Sequence, residues 1–205
     1  MILHDYLPSG NGYKIRLLLS LLGQEFQVKC YNIVAGETRT AAFLALNPNG
    51  KIPVLQFDDG RCLAESNAVL FYLAQNSAYW PQDSWQQAQV LKWMNFEQYS
   101  HEPNIASVRF WLGHAGMNDT RQAQLEDKMK QGYAALDVME QTLNQQDFFV
   151  GEQMSIADIA LYAYTHVAEE GGFELNAYPA IRKWCQRISQ LDNYLAIDDE
   201  SVVMH

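Results

Sequence analysis

The chain has 205 residues, which suits one large domain or two small ones. Hydrophobic residues make up 48% of it, enough for a sizeable core and against global disorder. A formal net charge of −10 argues against a nucleic-acid partner, which would favour a basic face.

The chain opens with Ile2-Leu3-His4-Asp5-Tyr6, read as a first strand. This start lacks the basic and long apolar regions of a signal peptide. No apolar run approaches the ~18 residues of a membrane span. The protein is therefore expected in the cytoplasm. Leu7-Pro8-Ser9-Gly10-Asn11-Gly12 is rich in turn formers and reads as a loop. Tyr13 to Gly23 reads as a helix with Ile15, Leu18, Leu19 and Leu22 on one face. Phe26 to Tyr31 alternates as a second strand, and Glu37 to Leu46 is expected to be one helix ended by Asn47-Pro48.

The stretch Asn47 to Ala68, NPNGKIPVLQFDDGRCLAESNA, carries most of the chemistry. Turn residues lead into the short run Ile52-Pro53-Val54-Leu55. Asp58-Asp59-Gly60 between two apolar runs predicts a hairpin, with Cys62-Leu63-Ala64 as the returning strand. Pro53 cannot donate to a sheet ladder, so it belongs at a strand start or edge, a good place for a cis peptide. Glu65-Ser66-Asn67 then opens a helix running from Ala68 to Ala74. A carboxylate and a hydroxyl at a helix start, beside its first-turn N–H groups, suit a ligand carrying both an ammonium and a carboxylate. A plain helix cap is the bland reading of the same two residues.

Ser77 to Ser84 breaks the pattern and reads as a linker. Beyond it the chain is helical: Trp85 to His114 with Pro103 as a kink or interruption, then Thr120 to Asn144 with apolar steps of four and three. Ser155-Ile156-Ala157-Asp158 starts another helix as a capping box with aspartate. Ala180 to Leu191 is the final helix, and Asp192 to His205 is expected to be loosely held. The three cysteines, Cys30, Cys62 and Cys185, are far apart and read as small buried apolar residues. His4, His114, His166 and His205 show no spacing that suggests metal ligation, so no metal is expected.

Three motifs carry a family resemblance: Lys51-Ile52-Pro53-Val54-Leu55, Glu65-Ser66-Asn67-Ala68 and Ser155-Ile156-Ala157-Asp158. Each is weak alone, but in this order the whole chain resembles a cytosolic glutathione transferase. The opening Tyr6 to Lys14 is most similar to bacterial members with a Ser/Asn loop. The resemblance implies an α/β N-terminal thioredoxin-like domain with a mixed four-stranded sheet, followed by an all-α C-terminal helical domain. The expected division is 1–76, a linker at 77–84, and 85–205.

The resemblance also implies roles. Ile52, before Pro53, would pair through its backbone with the cysteinyl part of glutathione. Glu65 would face the γ-glutamyl ammonium and Ser66 its carboxylate. Lys51 is the expected partner of the glycine carboxylate, with Thr38 and Arg39 as weaker candidates. Ser9 is the leading catalytic candidate and Asn11 the second, while Tyr6 reads as a core residue at the strand end. His101, Glu102, Arg109 and Trp111 are candidates for the electrophile pocket, or equally for a solvated face or dimer contact.

A related redox enzyme could carry Cys-x-x-Cys where this chain has Ser9-Gly10-Asn11-Gly12, so the thiol must come from glutathione as co-substrate. The leading expectation is conjugation of the glutathione thiolate to an electrophilic small molecule. The alternatives are glutathione-dependent disulfide or peroxide reduction, and a non-catalytic glutathione or ligand-binding protein of the same fold. The resemblance further implies a homodimer, with no nucleic-acid or membrane partner.

Overall fold

The computed structural model describes residues 1–204; His205 lies outside the described residues. Contacts divide the chain into two compact units, Met1–Ser77 with Asp192–His205, and Ala78–Leu191.

The first unit is a thioredoxin-like α/β domain. Its strands are β1 (Ile2–Asp5), β2 (Gln27–Cys30), β3 (Val54–Gln56) and β4 (Cys62–Ala64), in the order β2-β1-β3-β4. β1 and β2 are parallel, with Leu3 opposite Val28. The helix α1 (Gly10–Leu21) makes that crossover. β3 runs antiparallel to β1 and forms the expected hairpin with β4, so the sheet is mixed. The turn closes through Phe57 N–H to Arg61 O at 2.9 Å, with Gly60 at φ 86°. Leu3, Ile15, Leu19, Val28, Leu55 and Val69 form the core on one side of the sheet.

Several boundaries differ from the sequence reading, each for a local reason. α1 begins at Gly10, three residues before its expected start, because Ser9 adopts an extended N-cap conformation ahead of it. The stretch 37–46 is two elements: a 3₁₀ turn at Glu37–Arg39, then α2 (Ala41–Leu46). Thr40 divides them by capping α2, its Oγ1 accepting from Phe43 N–H at 3.3 Å. The next helix, α3 (Ser66–Ala74), takes in Ser66 and Asn67 as its first turn.

The expectation of a loosely held tail inside the helical domain does not hold. Residues 192–204 pack with the first unit. Ser20 Oγ donates to Asn193 O and Tyr13 Oη to Leu195 O, both at 2.7 Å. Val203 bridges Val28 in parallel, and Val202 and Val203 lie against the core. This segment has no periodicity of its own; its structure comes from partners about 180 residues away in the chain.

The second unit is all-α. It contains α4 (Ser84–Phe96), α5 (Glu102–Phe110), α6 (Asp119–Leu143), α7 (Ile156–Thr165) and α8 (Pro179–Ser189). A π turn at Glu97–His101 joins α4 to α5, whose second residue is Pro103. Proline has no N–H to offer, and the wider π turn accommodates the break in the ladder. α7 starts with the expected capping box. Asp158 is fully buried and accepts from Ser155 N–H and Oγ, Phe149 N–H and Trp184 Nε1, at 2.9–3.1 Å. Burial pushes this carboxyl's pKa up, while the four donors favour its ionised form. The pattern fits a structural role for Ser155 and Asp158.

The cysteine reading needs one correction. Cys30 is exposed at the end of β2, although it shares a strand face with the buried Val28. Cys62 and Cys185 are half-buried, and burial of the Cys185 thiol pushes its pKa up to about 12. No helix among the described residues is long and apolar enough to cross a membrane. No cluster of His, Cys, Asp and Glu among them could hold a metal ion.

Candidate functional site

The sheet register brings three chain-distant segments to one end of the first unit. Val54 stands opposite His4 of β1 and opposite Ala64 of β4. The exit of β1 leads to Tyr6–Ser9, the entry of β3 is Ile52–Pro53, and the exit of β4 leads to Glu65. These three segments therefore share an edge. The Ile52–Pro53 peptide bond is cis. Pro53 is buried and Ile52 half-buried.

Two helices start at this edge, α1 at Gly10 and α3 at Ser66. Helix starts present first-turn N–H groups outside the helical ladder and the positive end of the helix dipole. Their side chains meet. Ser66 Oγ donates to Asn11 Oδ1 at 3.3 Å and accepts from Lys14 Nζ at 3.3 Å. Lys14 Nζ also lies 3.4 Å from Asn67 Oδ1. Asn11 thus sits in the first turn of α1, not in a loop, and its carboxamide oxygen is engaged by Ser66. Ser9 is half-buried and makes no side-chain bond to cap α1. Its N–H donates to Tyr6 O at 2.7 Å, closing the turn that carries it.

Glu65 precedes α3 with φ 67° and ψ 106°, a backbone conformation that favours glycine. A glutamate held there is locally strained, and such strain concentrates at functional positions. Its side chain is exposed. Lys51, the residue before Ile52, is exposed. Asn47 shapes the turn before it, with Nδ2 donating to Lys51 O at 2.8 Å and Oδ1 accepting from Asn49 N–H at 3.1 Å. Arg39 crosses to the same turn, Nη1 donating to Asn49 O at 3.2 Å. Two cations thus flank the Asn47–Lys51 turn. Thr38, by contrast, is buried.

The helical-unit candidates divide by partner. His101 is buried, with Nε2 2.9 Å from Thr165 Oγ1. Arg109 pairs with Glu170 at 2.7 Å. Glu102 and Trp111 are half-buried.

Two residues of α1 carry more than sequence reasoning assigned them. Lys14 and Arg16 are both fully buried. Arg16 Nε bonds Asp5 Oδ2 at 3.2 Å inside the same unit. A visible signal existed: two cations stand inside an apolar helix, Tyr13-Lys14-Ile15-Arg16-Leu17-Leu18-Leu19, that is buried along most of its length. Charges in such a place require specific partners.

A thioredoxin-like sheet with a cis-proline edge and two helix starts, together with a separate helical unit, defines the glutathione transferase class. Residues 1–75 match the N-terminal domain of glutathione S-transferases and residues 96–192 the C-terminal domain, so the chain belongs to this family. It is similar to a glutathione S-transferase from Pseudomonas fluorescens: 49% identity, 97% of this chain and 98% of that one covered, TM-score 0.94. It is 31% identical to the maleylacetoacetate isomerase of Pseudomonas aeruginosa, over 89% of this chain and 88% of that protein. It is also 37% identical to elongation factor 1-gamma of Danio rerio, over 89% of this chain but only 42% of that protein.

Proposed function

We propose that the first unit binds glutathione and that the protein is an enzyme transferring the glutathione thiolate to electrophilic small molecules. The observation that carries this reading is the 3.3 Å contact between Ser66 and Asn11. It joins the candidate grip on the γ-glutamyl end to the candidate thiolate site at the start of α1. Glu65 faces the ammonium group, Ser66 the carboxylate, Ile52 the cysteinyl backbone, and Lys51 with Arg39 the glycine carboxylate. Such spacing along one sheet edge fits an extended tripeptide. The thiol then falls at Ser9, where a hydroxyl and the positive end of α1 favour its ionised form.

The requirement is modest. A free thiol titrates near ~8.5, so about 3% is thiolate at neutral pH. Lowering that to about 6.5 takes roughly 2.7 kcal/mol of preferential thiolate stabilisation. One hydroxyl donor, one amide donor and the helix end are together of that order. The enzyme works in the cytoplasm as a homodimer in this reading, with glutathione as co-substrate.

The test is a side-by-side assay of a model aryl halide, a mixed disulfide, cumene hydroperoxide and maleylacetoacetate, with glutathione affinity measured by calorimetry. Turnover of the aryl halide is the expected result. Preferential turnover of the disulfide or peroxide would replace conjugation by glutathione-dependent reduction. Glutathione binding without turnover of any of the four would mark a binding protein.

A further inference from the structure

Arg16 sits where the thiolate loop and the C-terminal segment come closest through one side chain. Its Nε donates to Asp5 Oδ2 at 3.2 Å, its Nη1 to Ile197 O at 2.8 Å, and its Nη2 to Leu7 O. Asp5 in turn accepts from Tyr6 N–H at 2.7 Å. Leu7 stands two residues before Ser9, and Ser9 N–H closes onto Tyr6 O. On the other side, residues 192–204 are held to the same helix by Tyr13 Oη on Leu195 O and Ser20 Oγ on Asn193 O. They are held to β2 by Met204 N–H on Val28 O at 2.9 Å.

We propose that Arg16 and the C-terminal segment 192–204 form a brace that sets the position of the Ser9-bearing turn, with Arg16 as a positioning residue. This rests on the reading of Ser9 as the thiolate donor. A guanidinium is a rigid planar fork of five N–H donors, so its three acceptors are fixed relative to one another. If the Ile197 carbonyl moves, a buried guanidinium must turn to satisfy its N–H groups, and its bond to Leu7 O changes with it. A lysine has one compact donor head and cannot span the three acceptors at once. The Leu7 carbonyl thus inherits its position from a segment 190 residues further along. Among the described residues Ser66 bonds Asn11 and Lys14 but not Arg16 or 192–204, so the grip on the glutathione backbone is separable from the brace.

The experiment uses the full chain with two variants, Arg16→Lys and the double variant Tyr13→Phe/Ser20→Ala. The double variant loosens the tail and keeps both Arg16 and the ring at position 13 that its guanidinium lies over, 5.4 Å from the centroid. Amide hydrogen exchange is read at Tyr6 and Ser9 in the turn and at Asp199 and Met204 in the tail, without glutathione. In Tyr13→Phe/Ser20→Ala, tail and turn amides should both exchange faster, the turn by about ten-fold. Arg16→Lys should accelerate the turn at least as much. In both, kcat should fall and the pKa of bound glutathione thiol should rise, while KM for glutathione stays within about two-fold. A purely structural role would move stability without that split.

Turn amides exchanging as in the wild type, in a folded double variant whose tail exchanges faster, would overturn the brace. So would tail amides unchanged by the double substitution, because it removes two of the bonds that hold the tail to α1. The double variant decides the matter if Arg16→Lys does not fold. Exchange needs no glutathione, so the two ideas fail separately. Faster turn exchange in a protein that binds no glutathione would leave the brace standing and remove the function. Normal conjugation with unchanged turn exchange would do the reverse.

Discussion

Glu65 is the place where stability and binding should pull apart. Its φ of 67° is one that a residue with a Cβ adopts at a cost of about 1–3 kcal/mol. Glycine at that position relieves the strain, but adds unfolded-chain entropy worth roughly 0.5–1 kcal/mol. The net expectation for Glu65→Gly is a gain of about 0.5–2 kcal/mol in unfolding free energy. Alanine keeps the strain and removes only the carboxylate, so Glu65→Ala should be close to wild type in stability. Both should lose the proposed charge-assisted contact to the ligand ammonium, worth roughly 1.5–3 kcal/mol, which is ten-fold or more in glutathione affinity. Urea unfolding of the three proteins, with calorimetric titration of glutathione on each, measures both quantities. The glycine variant should exceed wild type and the alanine variant in stability, and both variants should fall well below wild type in affinity. A glycine variant less stable than the alanine variant would refute the strain argument. Unchanged affinity in either folded variant would remove Glu65 from the ammonium site.

Other substitutions test the remaining contacts. Ser9→Ala should raise the thiol pKa seen in thiolate absorbance and slow turnover with a smaller change in glutathione affinity, and Asn11→Ala should do so more weakly. Equal pKa values in wild type and Ser9→Ala would take the donor role from Ser9, and a large shift in Tyr6→Phe would move it to the tyrosine. Gly12→Ala places a methyl 1.8–2.0 Å from the Asp5 carboxylate, so that group must leave Arg16. Breaking a buried pair costs about 3–5 kcal/mol, against about 1 kcal/mol gained in helix propensity, and a net loss below about 1 kcal/mol in urea unfolding would count against it. Burial, opposed by Arg16, raises the Asp5 pKa from 3.8 to about 6. A carboxyl that holds its proton longer when folded adds stability below its unfolded pKa. That contribution, about 3 kcal/mol, is lost as pH rises from about 4 to about 6. Wild type should therefore lose that much more than Asp5→Asn across this window, and parallel unfolding profiles would contradict it.

What could be read from the sequence was local. The hairpin at Asp58–Gly60 and the capping box at Ser155–Asp158 each lie within a few residues, and both form. The apolar steps of four and three in α6 gave a helix within a residue of its observed ends. What escaped was set by distant partners. The start of α1 looked like loop because Gly10 and Gly12 are poor helix formers. Gly12 is there because the Asp5 carboxylate occupies the space of a side chain. The tail carries no pattern and is organised by Tyr13, Arg16 and Ser20. The candidate site was legible as two motifs, but the sequence does not say that Ser66 and Asn11 touch, nor that Lys14 stands behind them.

Lys14 completes that picture, and it can be tested alone. Its ammonium donates to the Ser66 hydroxyl and the Asn67 carboxamide, both neutral, from a fully buried position. A carboxylate docked on Ser66 would lie roughly 6 Å from this charge, where an effective dielectric of about 20 gives an attraction near 3 kcal/mol. Lys14→Met keeps the length of the side chain and removes the charge. Removing a buried ammonium offsets much of the cost of leaving two acceptors unsatisfied, so stability should change by about 2 kcal/mol at most. Glutathione affinity should fall by up to about a hundred-fold, since 1.4 kcal/mol is ten-fold. The comparison with Glu65→Ala separates the two charges, because in the proposed site one variant removes the partner of the ligand's carboxylate and the other that of its ammonium. A glutathione analogue lacking the γ-glutamyl carboxylate should bind Lys14→Met and wild type equally. If it instead loses as much affinity as glutathione does, the charge acts through the fold of α1 rather than on the ligand, and Lys14 is not part of the site.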